Sequence, residues 1–208
     1  DTKKYTLIKK INDLDQWIKL AEEKGEFSVD TETNSLDPHK AELVGISLCV
    51  EPGKACYIPL KHDLHNLLNK DDVLKKLKPI LEDKSTKKIG QNIKYDLIVF
   101  FHHGIDLSSV EDTMLMSYTI DAGNHRHNMN VLAEIHLDHK TIKFKDLVGS
   151  GKNQITFDKV NIDKATEYAA EDADITLRLY KLFSKKLKEE KLLNIYELFE
   201  KPLINILA

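Results

Sequence analysis

The chain has 208 residues, and its 41% hydrophobic and 31% charged content is typical of one well-packed domain rather than of a disordered segment. The formal net charge of −3 excludes a protein that coats nucleic acid by bulk positive charge. It does not exclude an enzyme that binds a few phosphates through metal ions held by carboxylates.

We expect no membrane contact, since no apolar run approaches the ~20 residues that span a bilayer. A leader with a charged start and an apolar core is also not apparent, so a cytoplasmic location is expected. The chain starts at Asp1 instead of methionine, which suggests a piece of a longer protein. We expect this piece to be a monomer.

The segment FSVDTETNSLD predicts a β-strand followed by a turn. Phe27, Val29 and Thr31 alternate with polar residues, which is the period-two pattern of a strand with two different faces. The polar face carries Asp30 and Glu32 roughly 7 Å apart, and like charges at that spacing repel unless a cation lies between them. The strand is therefore a candidate metal-binding element.

Further strands and helices follow in a mixed order. ELVGISLCV and ACYIPL predict two strands around a Pro-Gly turn, in which Cys49 and Cys56 would lie roughly opposite each other as reduced thiols. Helical spacing in DDVLKKLKPILED precedes a short strand, KKIG, and a helix in NIKYDLIVFFHHG. Two helices, TMLMSYTI and MNVLAEIHL, come next. This order predicts an α/β fold with a mixed β-sheet flanked by α-helices.

The last long helix is predicted to begin at an N-cap, Asn161 or Asp163, after a long loop between Lys140 and Asp158. Residues on its inward stripe follow the three-four spacing of a buried face: Ala165, Ala169, Asp172, Ile175 and Leu179. Burying Asp172 costs several kcal/mol unless the carboxylate is paired or binds a metal. Tyr168 lies one turn before Asp172 on the same face.

Two other acidic residues of this helix, Glu171 and Asp174, point away from the stripe. We expect them to lie on a solvated face.

Asp96 opens a strongly apolar helix, where a negative charge in the first turn is favourable by itself. Together with Asp30, Glu32 and Asp172, however, it makes three segments that place acids where burial or repulsion is predicted. Oxygen ligands without Cys or His spacing favour Mg²⁺ or Mn²⁺. Two such ions held by carboxylates suit in-line displacement at a phosphodiester.

Three motifs in order, DTETNSLD, GQNIKYD and YAAEDAD, resemble the exonuclease motifs of the DEDD superfamily in its tyrosine-bearing branch. A wider resemblance, carried also by LVGIS, YIPL, DTML, GKNQITF and FEKPL, is to the 3'–5' proofreading domain of bacterial family A DNA polymerases. It covers nearly the whole chain and implies a ribonuclease H-like fold. It also implies an exonuclease domain over residues 1–190, followed over 191–208 by a helical segment that leads into a polymerase domain.

The resemblance implies a role for each residue of the carboxylate set. Asp30, Glu32 and Asp172 would bind one divalent ion, and Asp30 with Asp96 a second, as Mg²⁺ or Mn²⁺. Tyr168 would orient the attacking water, because a phenol with an ordinary pKa of about 10 is a poor base at neutral pH. The implied activity removes nucleoside 5'-monophosphates from single-stranded or frayed 3' ends of DNA.

Seven positions match DNA-contacting residues of this family: Thr33, Leu36, Gln91, Asn92, Tyr95, Arg126 and Phe157. Leu36 would wedge against a base and Phe157 would stack on one. The alternatives are a core anchor for Phe157 and a solvated loop for Arg126. His125 and His127, beside Arg126, are assigned to the surface.

Two alternative functions stay open at this point. A ribonuclease D-like exoribonuclease shares the metal chemistry and the tyrosine, although the segments between the motifs fit the polymerase family better. A non-catalytic module that only binds 3' ends would have no reason to keep all four carboxylates and Tyr168.

Overall fold

The computed structural model describes residues 3–63 and 67–208, so the first two residues of the predicted exonuclease domain lie outside the described residues. The described chain contains six strands: β1 (Lys4–Leu7), β2 (Glu26–Thr33), β3 (Leu43–Glu51), β4 (Lys54–Pro59), β5 (Lys87–Gly90) and β6 (Val110–Asp112). They form one sheet in the order β1-β4-β3-β2-β5-β6. The central strands β2, β3 and β4 are antiparallel, whereas β1, β5 and β6 pair in parallel with their neighbours. The predicted mixed sheet is confirmed.

Seven α-helices of five or more residues flank this sheet in the described chain: α1 (Asp13–Lys24), α2 (Lys70–Glu82), α3 (Lys94–His102), α4 (Thr113–Asp121), α5 (Met129–Leu137), α6 (Phe144–Val148) and α7 (Ile162–Glu189). Trp17 of α1 and Phe27 of β2 belong to a core that includes buried residues of α2 and α3. Met116 of α4, Leu132 of α5 and Phe183 of α7 form a second core. The sheet therefore lies between two helical layers.

The long helix α7 begins as the sequence predicts. The Asn161 side chain accepts hydrogen bonds from the backbone N–H groups of Asp163 and Lys164, at 3.1 and 3.3 Å, so Asn161 is the N-cap. The whole predicted stripe of α7 is buried, Asp172 included. Hydroxyl Oγ of Ser28 in β2 donates to the Ala173 carbonyl at 2.6 Å, which fixes α7 across the centre of the sheet.

The expectation for Glu171 and Asp174 is wrong, because both are buried, with 3% and 0% of their surface exposed. A helix of 28 residues that crosses a sheet and also contacts α4, α5 and α6 is covered on more than one side. The single inward stripe predicted from periodicity underestimates that coverage, because helical spacing reports only the most apolar face.

The two thiols also lie differently from the prediction. A register shift between Cys49 and Glu51 pairs Cys49 with Ala55 and Cys56 with Leu48. Because neighbouring residues of a strand point to opposite faces, this one-residue shift sends the thiols to opposite sides of the sheet. Both cysteines are buried and free.

The segment between Lys140 and Asp158 is more ordered than the predicted loop. It contains α6 and a 3₁₀ turn at Gly151–Asn153, and a second 3₁₀ turn follows at Phe157–Lys159.

The end of the chain, residues 191–208, forms three short helical turns: Leu193–Ile195, a π-helical turn at Tyr196–Glu200, and Leu203–Ile206. The buried Tyr196 hydroxyl donates to Glu111 at 2.8 Å, and Lys201 pairs with the same carboxylate at 2.7 Å. The segment is helical and packs on the rest of the fold, while the division at residue 190 stays a prediction. Over residues 3–63 and 67–208, no helix has the length and apolar character needed to cross a membrane.

Candidate active site

Three carboxylates converge where β2 and α7 cross. Asp30 and Glu32 follow Ser28 on the face of β2 that α7 covers, and Asp172 lies on α7 next to the Ser28–Ala173 hydrogen bond. Oxygen atoms of the three carboxylates lie within 4.8 Å of one another. The predicted convergence of the first and third motifs is therefore present in the fold.

A fourth carboxylate, Asp96, comes from the first turn of α3 and is 2% exposed. Its Oδ1 atom accepts two hydrogen bonds from Thr31, one from the backbone N–H at 2.9 Å and one from the hydroxyl at 2.5 Å. Thr31 thus fixes the Asp96 carboxylate against β2, at the residue between Asp30 and Glu32. From the sequence, Thr31 was identified only as part of the alternating strand pattern, and its role as a donor to Asp96 was missed. Its position between Asp30 and Glu32 was the signal that could have indicated that role.

The electrostatics of the four groups are those of a site that lacks positive charge. Burial, and then the charge of Asp172, raise the pKa of Asp30 to about 8. Burial raises the pKa of Asp172 to about 7, against an opposing effect of the adjacent Tyr168 hydroxyl. Burial and the neighbouring carboxylates also raise the pKa values of Glu32 and Asp96 well above their usual range. Among the described residues, no lysine or arginine offsets these shifts.

The set fits divalent metal ions. Glu32 Oε1 is buried and has no hydrogen-bond partner among the described residues, which is costly for a polar atom unless a ligand satisfies it. All the donors are carboxylate oxygens, the ligands that Mg²⁺ and Mn²⁺ prefer. Asp30, Glu32 and Asp172 are close enough to share one ion. Asp96 is close enough for its charge to raise the pKa of Glu32, and the charge of Asp30 raises the pKa of Asp96.

Tyr168 lies on α7 one turn before Asp172 and contacts the aromatic rings of Phe144 and Phe157, at centroid distances of 6.0 and 5.8 Å. Burial and the charges of Asp172 and Glu32 raise the pKa of Tyr168. The phenol therefore stays protonated at neutral pH and can hold a water molecule but cannot act as a base.

A cavity of about 660 Å³ opens beside the carboxylates. Four of the predicted DNA-contacting residues line it: Thr33, Leu36, Tyr95 and Phe157. Leu36 is 98% exposed, so its apolar side chain is free to meet a ligand. The hydroxyls of Thr33 and Tyr95 lie within hydrogen-bond distance of each other and of the Ser35 carbonyl. With one hydrogen on each hydroxyl, two of these three hydrogen bonds form at a time, and they tie Tyr95 of α3 to the end of β2 at this edge of the cavity.

Phe157 is only 1% exposed, and its ring packs against Tyr57 and Phe144 at centroid distances of 6.4 and 6.1 Å. This burial supports the alternative reading of Phe157 as a core anchor, since a base cannot stack on a covered ring. Phe144, parallel to Phe157 within 13° and 42% exposed, also lines the cavity and presents aromatic surface to it. Sequence reasoning missed Phe144 because it lies in a segment predicted to be loop.

Gln91, Asn92 and Arg126 are not among the described residues that line the cavity. The Gln91 amide donates to the His127 carbonyl at 2.8 Å, so it links the end of β5 to the loop that carries the exposed Arg126. Asn92 has a positive φ of 61°, and its N–H donates to Asp112 at 3.0 Å. These three residues form a second group on the side of α4 and α5.

A mixed sheet with an all-carboxylate metal site beside an open cleft defines the class of metal-dependent nucleases with a ribonuclease H-like fold. The profile of a protein family described as 3'–5' exonuclease matches residues 5–188. The chain belongs to this 3'–5' exonuclease family.

Curated relatives narrow the family further. The chain is 43% identical over 228 residues to DNA polymerase I of Rhizobium leguminosarum, which covers 100% of this chain and 22% of the relative. It is 43% identical over 201 residues to DNA polymerase I of Pseudomonas aeruginosa, covering 93% of this chain and 22% of the relative. The chain thus spans about a fifth of the length of these relatives and corresponds to the 3'–5' exonuclease domain of a DNA polymerase I.

Solved structures share the fold. Brucella melitensis NrnC superposes with a TM-score of 0.71 at 23% identity, covering 98% of this chain and 90% of that one. The ribonuclease D of Trypanosoma brucei has a TM-score of 0.68 at 16% identity, covering 86% of this chain and 64% of that one. At these identities the likeness concerns the fold alone, and the expected ribonuclease H-like architecture is confirmed.

Proposed function

We propose that this domain hydrolyses the 3'-terminal phosphodiester of single-stranded or frayed DNA and releases nucleoside 5'-monophosphates. The main support is the set of four carboxylates at the wall of an open cleft, with raised pKa values and without a compensating lysine or arginine in the described chain. Such an arrangement opposes folding unless cations bind, so it indicates a function for the cations.

The proposed cofactors are two divalent ions, Mg²⁺ or Mn²⁺. Asp30, Glu32 and Asp172 would hold one ion, and Asp30 with Asp96 would hold the other. When bound, such ions promote loss of a proton from water and stabilise negative charge on the departing oxygen.

The protein's own groups would position the reactants. Tyr168, protonated and fixed beside Asp172, would donate a hydrogen bond to the attacking water or accept one from it. Glu32 would complete the orientation of this water. Leu36 would separate the last bases at the mouth of the cleft, where its side chain is exposed. Thr33 and Tyr95, hydrogen-bonded to each other, would contact the terminal nucleotide.

The remaining proposed contacts lie outside the cleft. Gln91, Asn92 and Arg126 would hold the sugar-phosphate backbone of the nucleotides that precede the 3' terminus. The exposed Arg126 side chain would pair with phosphate. The proposed partners are this DNA end and the polymerase domain of a longer parent chain. We propose that the piece is monomeric and works in the cytoplasm.

The test uses 5'-labelled DNA and RNA oligomers of the same sequence, each with Mg²⁺, with Mn²⁺ and with chelator. We expect the DNA to shorten from its 3' end one nucleotide at a time, with chelator abolishing the reaction. The matched control is Asp172→Asn, which removes a proposed metal ligand from a chain that should still fold.

Each other outcome has a distinct meaning. RNA shortening faster than DNA would favour the ribonuclease D-like alternative. DNA that binds but is not shortened with either ion would favour the non-catalytic 3'-end-binding module.

A further inference from the structure

A second cluster of metal-ligating side chains lies far from the carboxylate site in sequence and on different elements. It consists of Asp121, the last residue of α4, His125 in the following loop, and His136 in the last turn of α5. One ligand atom from each of the three lies within 4.8 Å of the others. Imidazole nitrogens with a carboxylate are ligands typical of Zn²⁺ and neighbouring transition metals, unlike the all-oxygen set of the cleft.

The hydrogen bonding of His125 leaves one ring nitrogen free for a metal. Its Nδ1 lies 3.0 Å from the Arg126 carbonyl, which can only accept, so Nδ1 carries the proton. The lone pair is then on Nε2, which is buried, has no hydrogen-bond partner among the described residues, and lies 3.9 Å from Oδ2 of Asp121. A backbone carbonyl on the distal nitrogen is the arrangement that typically orients metal-bound histidines.

His136 presents a second unsatisfied nitrogen. Its Nε2 is also buried without a hydrogen-bond partner in the described chain, and its ring contacts that of His125 at a centroid distance of 5.7 Å. The ring packs edge-on against Phe183 of α7, which restricts its orientation.

The two buried Nε2 atoms lie near the Asp121 carboxylate, but neither is within hydrogen-bond distance of it. A bound cation would satisfy both nitrogens and the carboxylate. We propose that Asp121, His125 and His136 form a binding site for a transition-metal ion of the Zn²⁺ type, with one coordination position left to water. Tetrahedral Zn²⁺ at about 2.0–2.1 Å from each ligand needs ligand atoms about 3.4 Å apart. The present spacing of the ligand atoms, 4.8 Å or less, exceeds that value by at most about 1.4 Å.

The site would join the ends of α4 and α5 across the loop at residues 122–128. That loop is otherwise held by the Ser117–His127 hydrogen bond at 2.9 Å and by the Gln91–His127 contact. A third histidine ring, His127, lies 4.9 Å from His125 by centroid distance. Metal binding at the cluster should therefore reduce motion of this loop, and this expectation does not depend on the proposed nuclease function.

The experiment must separate this site from the carboxylates of the cleft. We would use the full 208-residue chain carrying Asp30→Asn and Asp172→Asn, and titrate it with Zn²⁺ in a calorimeter. One Zn²⁺ per chain is expected to bind. Adding His125→Ala or His136→Gln should weaken binding at least about tenfold, since even the loss of an outer hydrogen bond to a metal ligand costs 10–100-fold.

The matched control is His39→Ala, which removes an exposed histidine outside the cluster and should leave Zn²⁺ affinity unchanged. As a second measurement, hydrogen exchange of the amides at residues 122–128 should slow on addition of Zn²⁺ in the parent and not in His125→Ala. Circular dichroism melts verify that each variant folds. Because His125 lies in a loop, His125→Ala still tests the site if His136→Gln does not fold.

The proposal is overturned if the parent with Asp30→Asn and Asp172→Asn binds no Zn²⁺. Equal affinity in the parent, His125→Ala and His136→Gln would overturn it too. Because the background lacks two proposed catalytic ligands, neither result bears on the exonuclease activity.

Discussion

Asp172 and Asp174 lie two residues apart on α7, and both are buried, yet their surroundings are opposite. Asp174 accepts hydrogen bonds from the Gly53 N–H at 2.7 Å, from Arg178 Nε at 2.8 Å and from the Tyr5 hydroxyl at 2.8 Å. Asp172 faces other carboxylates, and within residues 3–63 and 67–208 the donor that acts on it is the Tyr168 phenol. One acid is neutralised by the fold, and the other is left for a cation.

Glu171, like Asp174, is a buried carboxylate whose oxygens accept hydrogen bonds from the surrounding fold. Its two oxygens accept from the Ile142 N–H at 2.7 Å, from His139 at 2.9 Å and from Lys3 at 3.1 Å. The comparison teaches that burial of a carboxylate does not by itself identify a functional site. The diagnostic feature is burial without a compensating donor or charge, because that arrangement persists only if a ligand stabilises it or function requires it.

The largest expected effect is on turnover in Asp172→Asn. The loss of one metal ligand should lower the rate on single-stranded DNA at saturating Mg²⁺ by at least about a thousandfold, which corresponds to about 4 kcal/mol. Single-turnover assays of 5'-labelled oligomer measure it. Asp174→Asn is the matched control and should keep its rate per folded molecule within about threefold. Equal losses in the two variants would remove the distinction between the two acids.

The free energy of unfolding should change more on removal of the Asp174 carboxylate than on removal of the Asp172 carboxylate, the reverse of the order expected for the rates. Asp174→Ala removes the acceptor of the buried Gly53 N–H and of the Tyr5 hydroxyl, which should cost about 3 kcal/mol of unfolding free energy, since each buried donor left unsatisfied costs about 1–3 kcal/mol. Urea unfolding measures this cost. In metal-free buffer, Asp172→Ala should be neutral or stabilising instead. A destabilisation of similar size in both would show that Asp172 is also held by the fold.

Tyr168→Phe tests the hydroxyl beside Asp172. If the hydroxyl only orients water, the rate should fall by about 10–10³-fold while metal and DNA affinities stay nearly intact, since one aligning hydrogen bond contributes a few kcal/mol at most. Turnover and binding are measured at saturating Mg²⁺, with thermal melts as a control of folding. Turnover within about twofold of the parent would assign Tyr168 to packing against Phe144 and Phe157.

The smallest effect is a pH dependence of stability without metal. The folded pKa values of Asp30 and Asp172, about 8 and about 7, exceed the unfolded value of about 3.9. Unfolding therefore releases protons between these values, and the unfolding free energy should fall as the pH rises from about 4 to about 8. In chelator at pH 8, Asp30→Asn should raise the melting temperature by at least about 3 °C, the shift expected for about 1 kcal/mol.

The advantage of Asp30→Asn should shrink at pH 5, where the native Asp30 is protonated and uncharged. Scanning calorimetry at the two pH values checks this, and added Mg²⁺ should cancel the difference at pH 8 by neutralising the carboxylates. An advantage that is the same at pH 5 and pH 8 would contradict the assignment of the shift to charge.

Much of the site could be predicted because its signals are local. The alternation around Asp30 and Glu32, the apolar helix opened by Asp96, and the stripe that contains Asp172 are each visible in about ten residues. Their order along the chain, together with the resemblance to known motifs, was enough to predict that they meet. Thr31 and Phe144 were missed, since their roles depend on what faces them in the fold.

The wrong predictions for Glu171, Asp174 and the two thiols have the same cause: each depends on parts of the chain that are distant in sequence or on an irregular register. Glu171 and Asp174 read as solvated because helical periodicity cannot report partners such as Lys3 or Tyr5, which lie 168 and 169 positions away in the chain. The thiols of Cys49 and Cys56 were placed together because a single bulge, which shifts the register by one residue, has no sequence signal in this hairpin.

Local patterns in the amino-acid sequence were enough to predict the strand and the two helices that carry the acids, because hydrophobic period and capping act over a few residues. They did not predict β1, α1, β6 or α6. Only the tertiary structure decided which buried acids are neutralised and which are left to bind metal. It also brought Asp121, His125 and His136 together from α4, a loop and α5. The physical reason is that a charge is stabilised or left unpaired by groups within a few ångströms, and those groups come from distant parts of the chain.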